Sequence, residues 1–102
     1  MDESTLARLR EQAEPLAALS VLHLSGATRR KLLEDDLSVN AYPTDEGGFV
    51  YVGAPRYDTP TEADLAALFE LAERAGVVWL KFDASAAVID GLPVFDDPEP
   101  DA

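Results

Sequence analysis

His23 is the single imidazole of the chain, and the one side chain whose ordinary titration range suits general acid–base work near neutrality. No serine–acid arrangement accompanies it, so it reads first as a packed or hydrogen-bonded strand residue. Asp83 and Asp90 flank a turn and offer the hard oxygens of a cation site, although turn formation accounts for both. Cysteine is absent, which excludes disulfides, thiolate metal ligands and thiol catalysis. These residues do not add up to a catalytic or metal-binding signature. No cofactor, no metal and no enzymatic activity are expected.

What the sequence does concentrate is negative charge. Twenty acids face eight bases, for a net charge of −12 and a pI near 4.2. Direct nucleic-acid binding rests on neutralising phosphates with Lys and Arg, so this balance argues against it. It fits a partner with a basic surface, whose encounter it would speed, although solubility alone also accounts for it. The strongest negative pole is the segment 77–102, which carries −5. The carboxylates expected to meet such a partner are Glu62, Asp64, Glu70 and Glu73 on one helix, and Asp83, Asp90, Asp96 and Asp97 towards the C-terminus. Carboxylates can stand in for phosphates because both accept charge-assisted hydrogen bonds from Arg and Lys.

The elements that must position these groups follow from hydrophobic periodicity. With 102 residues, 47% of them hydrophobic, the chain has material for one core. A single domain over 1–95 is expected, with 96–102 as an acidic, disordered tail. No apolar run approaches the roughly 20 residues of a membrane helix, and no leader pattern opens the chain, so no membrane partner and a cytoplasmic location are expected.

Leu6, Leu9 and Ala13 recur at helical spacing, which predicts a first helix over 3–14 that breaks at Pro15 and continues as a short turn through Leu19. Ser20–Leu24 reads as a strand, Ser25 as the cap of a helix over 27–34, and 38–43 and 49–52 as a hairpin closed by Gly47 and Gly48. Pro43 places the first of those hairpin strands at an edge. Thr59, Pro60 and Glu62 predict a helix start by a capping box, with Leu65, Leu68, Phe69, Ala72 and Ala75 on one face and Gly76 as its terminator. The most apolar run, Val77–Asp83, predicts a central strand with Val78, Leu80 and Phe82 facing the core and Val77, Trp79 and Lys81 facing away. Ala87–Ile89 is expected to pair briefly, and Val94–Phe95 to dock back on the sheet.

The order β-α-β-β-α-β predicts an α+β fold: a ferredoxin-like antiparallel sheet, with an additional N-terminal helix and an acidic C-terminal tail. One sheet face then carries His23, Tyr42, Phe49, Tyr51, Trp79 and Lys81, and an aromatic face must be covered or used. The first helix or the Val94–Phe95 segment is the expected cover. Left open, the face is a protein-binding surface, or a small enzyme or ligand-sensor site around His23, Tyr42, Tyr51 and Trp79. Base stacking, as in RNA-binding domains of this topology, lacks the basic residues it needs.

Trp79-Leu80-Lys81-Phe82-Asp83, followed by Asp90-Gly91-Leu92-Pro93-Val94-Phe95-Asp96, resembles the C-terminal signature of a family of small uncharacterised domains frequent on plasmids and other mobile elements. Members often finish with tryptophan after the last aspartate, where this chain has Asp97 and a longer acidic extension. The resemblance brings no catalytic residues. It implies a mobile-element context, and with it an anti-defence role such as anti-CRISPR or anti-restriction. The leading expectation is therefore a non-enzymatic acidic binding protein, monomer or homodimer, that occupies a basic, nucleic-acid-binding surface of its protein target.

Overall fold

The computed structural model describes residues 3–95, so the expectation of a disordered tail over 96–102 lies outside the described residues. The elements run α1 Glu3–Glu11, β1 Leu16–Ser20, a 3-10 turn Val21–His23, α2 Gly26–Leu33, β2 Ala41–Thr44, β3 Gly47–Tyr51, α3 Ala63–Ala75 and β4 Trp79–Asp83. Three helices and a four-stranded sheet make this a small α+β fold.

The sheet is mixed, in the order β1-β4-β3-β2, with β1 parallel to β4 and the other neighbours antiparallel. The expected all-antiparallel, ferredoxin-like order is corrected by this pairing. Tyr51, the last residue of β3, lies opposite Trp79, the first of β4. The connection between them therefore leaves and returns at the same end of the sheet. The extended segment before α3 takes the chain away from that end, and α3 brings it back. No crossover remains to carry β4 beyond its neighbour, and β4 settles between β3 and β1.

The first strand lies four residues earlier than expected. Leu16-Ala17-Ala18-Leu19 favours helix by composition, but the β4 backbone supplies a complete ladder from Leu16 opposite Trp79 to Ser20 opposite Asp83. The Ser20 hydroxyl then accepts from the Leu22 N–H at 3.1 Å and turns Val21–His23 into a single 3-10 turn. Ala17 and Leu19 consequently face the core, while Leu16 and Ala18 share the outer face with Trp79 and Lys81.

The core lies between the sheet and α2 and α3, and is built from Leu19, Leu24, Leu32, Val39, Val50, Val52, Leu65, Leu68, Phe69, Ala72, Leu80 and Phe82. Val77 packs partly against this core, where alternation had placed it on the far face. Val78 donates its N–H to the Pro15 carbonyl at 2.9 Å, so regular strand geometry begins only at Trp79.

Two helix ends show how side chains from distant segments replace local signals. Ser25 caps α2 as expected, its hydroxyl accepting from the Thr28 N–H. The α3 start is corrected: the helix begins at Ala63, its N-cap Glu62 makes no side-chain cap bond, and the Glu62 carboxylate turns instead to Ser38. At the other end Gly76, at φ 76°, lets the Val77 N–H reach the Ala72 carbonyl at 2.8 Å, the left-handed termination that glycine permits.

The hairpin has a separate requirement at Gly47. A Cβ there would lie 2.0 Å from the Phe82 carbonyl oxygen, so a side chain at this position would push β3 off β4. Ala87–Ile89 forms no strand, and Phe95 docks by its N–H on the Leu22 carbonyl at 2.8 Å, beside the 3-10 turn and away from the sheet face.

Candidate functional site

Alternation along β3 and β4 turns Val50, Leu80 and Phe82 inward and Phe49, Tyr51, Trp79 and Lys81 outward. Register adds Tyr42 opposite Phe49, and Leu16 beside Trp79. The rings form a connected strip: Tyr51 and Trp79 have centroids 4.9 Å apart, Tyr42 and Trp79 6.2 Å, and Tyr57 reaches Tyr51 at 6.1 Å. Leu16, Tyr42, Phe49 and Trp79 line a shallow apolar concavity of about 300 Å³.

Both core-covering helices lie on the opposite face, and none of the α1 residues is buried. The expected cover is therefore missing: neither the first helix nor Val94–Phe95 closes this surface in the isolated chain. Tyr42 is 57% exposed and Leu16 47%. The indole N–H of Trp79 is already spent, donating to the Glu14 carboxylate at 2.9 Å. Lys81 extends over the Phe49 ring, with Nζ 5.8 Å from its centroid, and approaches Asp83 at 3.8 Å.

At the end of the sheet Thr44, Asp45, Glu46 and Asp83 border a second depression next to Phe49 and Lys81. The Glu46 carboxyl is pushed up, first by its hydrogen bond with Asp83 and then by the Asp83 charge. Asp83 is held down, first by the Ser85 N–H, which donates to it at 2.8 Å. The two carboxyls thus divide into one that keeps its charge and one that gains a proton more readily.

His23 stands apart from the other sequence-predicted face residues. It lies on the 3-10 turn, 1% exposed, with Nδ1 2.7 Å from the Pro93 carbonyl and Nε2 accepting from the Ile89 N–H at 3.0 Å. Those contacts assign the proton to Nδ1 and use both ring nitrogens to hold the 84–95 segment. The structure brings Tyr42, Tyr51 and Trp79 together and leaves His23 out, because the strand expected to carry it ends at Ser20.

The helix carboxylates serve the fold or each other's neighbours. Asp64 accepts from the Ser25 N–H and the Thr28 hydroxyl, each at 2.8 Å, and so ties the start of α2 to α3. Glu62 is buried against Ser38 and Lys31. Glu70 and Glu73 both bind Arg56, at 3.1 and 2.6 Å. Asp90 is exposed on its turn, and Asp96 and Asp97 lie outside the described residues. Sequence reasoning missed Leu16 and Glu14 as contributors to the face. The available signal was Pro15, whose position just before Leu16 suits the first residue of a strand as well as the break in a helix.

Among the described residues no group of three or more His, Cys, Asp or Glu side chains is placed to hold a metal ion, and no helix is long and apolar enough to cross a membrane. Fold and surface together define a small α+β domain with one covered and one open sheet face. The chain belongs to a family of unknown function, the DUF5983 C-terminal domain, matched over residues 16–97. No curated protein and no solved structure matches it.

Proposed function

We propose that this domain is a non-enzymatic binding protein that receives a protein partner on its open sheet face. The observation that carries the reading is the strip of exposed Leu16 and Tyr42 with half-buried Phe49, Tyr51 and Trp79, which no helix among the described residues covers, while the opposite face holds the core. Aromatic side chains that are rigid and already in contact with one another lose little entropy on binding, which suits them as anchors. The border of Glu14, Asp45, Glu46 and Asp83, within a chain of net charge −12, gives the partner its chemistry: an apolar anchor flanked by Lys or Arg.

Mimicry of a phosphate backbone by the α3 acids draws less support, because Asp64 and Glu62 are committed to the fold and Glu70 and Glu73 to Arg56. A small-molecule site draws less still: the concavity is open and lined by Leu16, Tyr42, Phe49 and Trp79, with no convergent set of polar groups.

The test is capture from a cell lysate on the immobilised chain at low and high ionic strength, repeated with Tyr42→Glu. Tyr42 is exposed, so the substitution leaves the core intact. A partner retained at low salt, reduced at high salt and lost with Tyr42→Glu supports the reading. Retention indifferent to both changes contradicts it.

A further inference from the structure

We infer that the sheet face is occupied, in the absence of another partner, by α1 from a second copy of this chain, in a symmetric exchange that makes a homodimer. This rests on the reading of the face as a protein-binding surface, and it names an occupant.

The first observation is that α1 is an amphipathic helix whose apolar side is not buried by the described residues. Leu6 and Leu9 share one side of the helix, where they are 36% and 66% exposed, and no α1 residue is buried. Helices of nine residues are marginal alone in water, so this one needs a surface to rest on. The second is the reach of its connection. Helical hydrogen bonding continues through the Ala13 N–H, which donates to the Arg10 carbonyl at 3.1 Å, leaving Glu14 and Pro15 before β1. Glu14 and Pro15 leave three Cα–Cα steps between Ala13 and Leu16, at most about 11 Å of extended chain, so α1 could reach its own face only by folding straight back over Leu16. Pro15 also favours an extended backbone at Glu14, and the Glu14 carboxylate accepts from the Trp79 indole N–H, and both oppose such a reversal. In the structure α1 accordingly stands off its own sheet, with none of its residues buried. A second copy carries the same face without that tether.

The dimensions agree. A nine-residue helix is about 13.5 Å long, and four strands about 4.8 Å apart span about 14 Å between the outer two. So does the charge. Arg10, one turn after Leu6, flanks the apolar stripe, and the face it would meet ends in Asp45, Glu46 and Asp83. In a chain of net charge −12, α1 is a segment where Arg8 and Arg10 offset the acids Glu3 and Glu11, so it approaches another copy without adding to the repulsion. Reciprocal exchange uses both helices and both faces and closes on itself, leaving no open end to propagate.

The experiment is the solution mass of the purified chain over a concentration series, by sedimentation or light scattering, for the wild type, Leu9→Glu and Tyr42→Glu. Both altered side chains are exposed in the isolated chain, so neither variant loses core packing. The wild type is expected to give the dimer mass and each variant the monomer mass. Because the chain has no cysteine, a second arm is clean: Leu6→Cys copies mixed with Tyr42→Cys copies should give an intermolecular heterodisulfide under oxidising conditions. A wild-type monomer at every concentration overturns the inference, and so does a dimer that persists in Leu9→Glu, which would mean that the sheets pair without α1. A monomer that still captures its partner through Tyr42 would sink the dimer alone and leave the proposed function standing.

Discussion

The Nδ1 of His23 sits 2.7 Å from the carbonyl oxygen of Pro93, seventy residues along the chain, while its Nε2 accepts from the Ile89 N–H. The ring thereby spans a segment without regular secondary structure and fastens it to the 3-10 turn after β1. Replacing it with alanine removes both hydrogen bonds and leaves a void in a buried position. His23→Ala should destabilise the fold by roughly 2–4 kcal/mol, measured by urea unfolding. The Ile89 amide should lose its protection from hydrogen exchange even under conditions where the α3 amides keep theirs.

Glu62 supplies a pH dependence. Burial by itself would raise its carboxyl, but the Ser38 hydroxyl, backbone N–H groups and the Lys31 ammonium outweigh it and hold the group below the ordinary value of 4.5. The folded state therefore binds this proton less readily than the unfolded state does. The contribution of Glu62 is complete above the ordinary carboxylate range and disappears as the pH falls through the depressed folded value. Urea midpoints measured from pH 7 downward should converge for the wild type and Glu62→Gln at acid pH. At neutral pH the variant should be weaker by roughly 1–2 kcal/mol. A constant difference across the whole range would show that the charge is not what matters.

Asp64 joins two helices through one side chain. Asp64→Ala leaves the Ser25 N–H and the Thr28 hydroxyl without their acceptor at the start of α2. The expected loss is roughly 1–3 kcal/mol, accompanied by faster exchange in the first turn of α2. Asp64→Asn retains one acceptor oxygen and should recover about half of it.

Gly47 tests the hairpin. With a Cβ 2.0 Å from the Phe82 oxygen, Gly47→Ala must separate β3 from β4 at the turn. Destabilisation of roughly 2–4 kcal/mol is expected in chemical unfolding. Gly91→Ala, where a Cβ meets open space but φ is 94°, isolates backbone strain from steric overlap and should cost less, about 1 kcal/mol.

Parts of this architecture were legible in the residues, and the rest failed for identifiable reasons. The alternation of Leu80 and Phe82 against Trp79 and Lys81, the Ser25 cap and the Gly76 terminator are local signals with their expected counterparts in the structure, and the hairpin forms too, although its turn is Asp45-Glu46 and the expected turn residues Gly47 and Gly48 already belong to β3. The outward grouping of Tyr42, Tyr51 and Trp79 followed from the same alternation. The failures involve partners far away in the chain. Leu16–Leu19 looks helical until β4, some sixty residues later, offers it a ladder. Thr59 to Glu62 looks like a capping box until Ser38 takes the Glu62 carboxylate. His23 shifted from the open face to the interior for the same reason, since moving the first strand four residues earlier changed what followed it.

The parallel pairing of β1 with β4 has a kinetic corollary. Of the four strands of this sheet, the first in chain order waits for the last, because its sole neighbour in the sheet runs to Asp83. Until then Leu16–Ser20 is an uncharged edge with an apolar flank and no ladder, the kind of segment on which nascent chains aggregate. The hairpin of β2 and β3 can form early by contrast, and the four-stranded sheet is completed only in a final, long-range step that contact order makes slow.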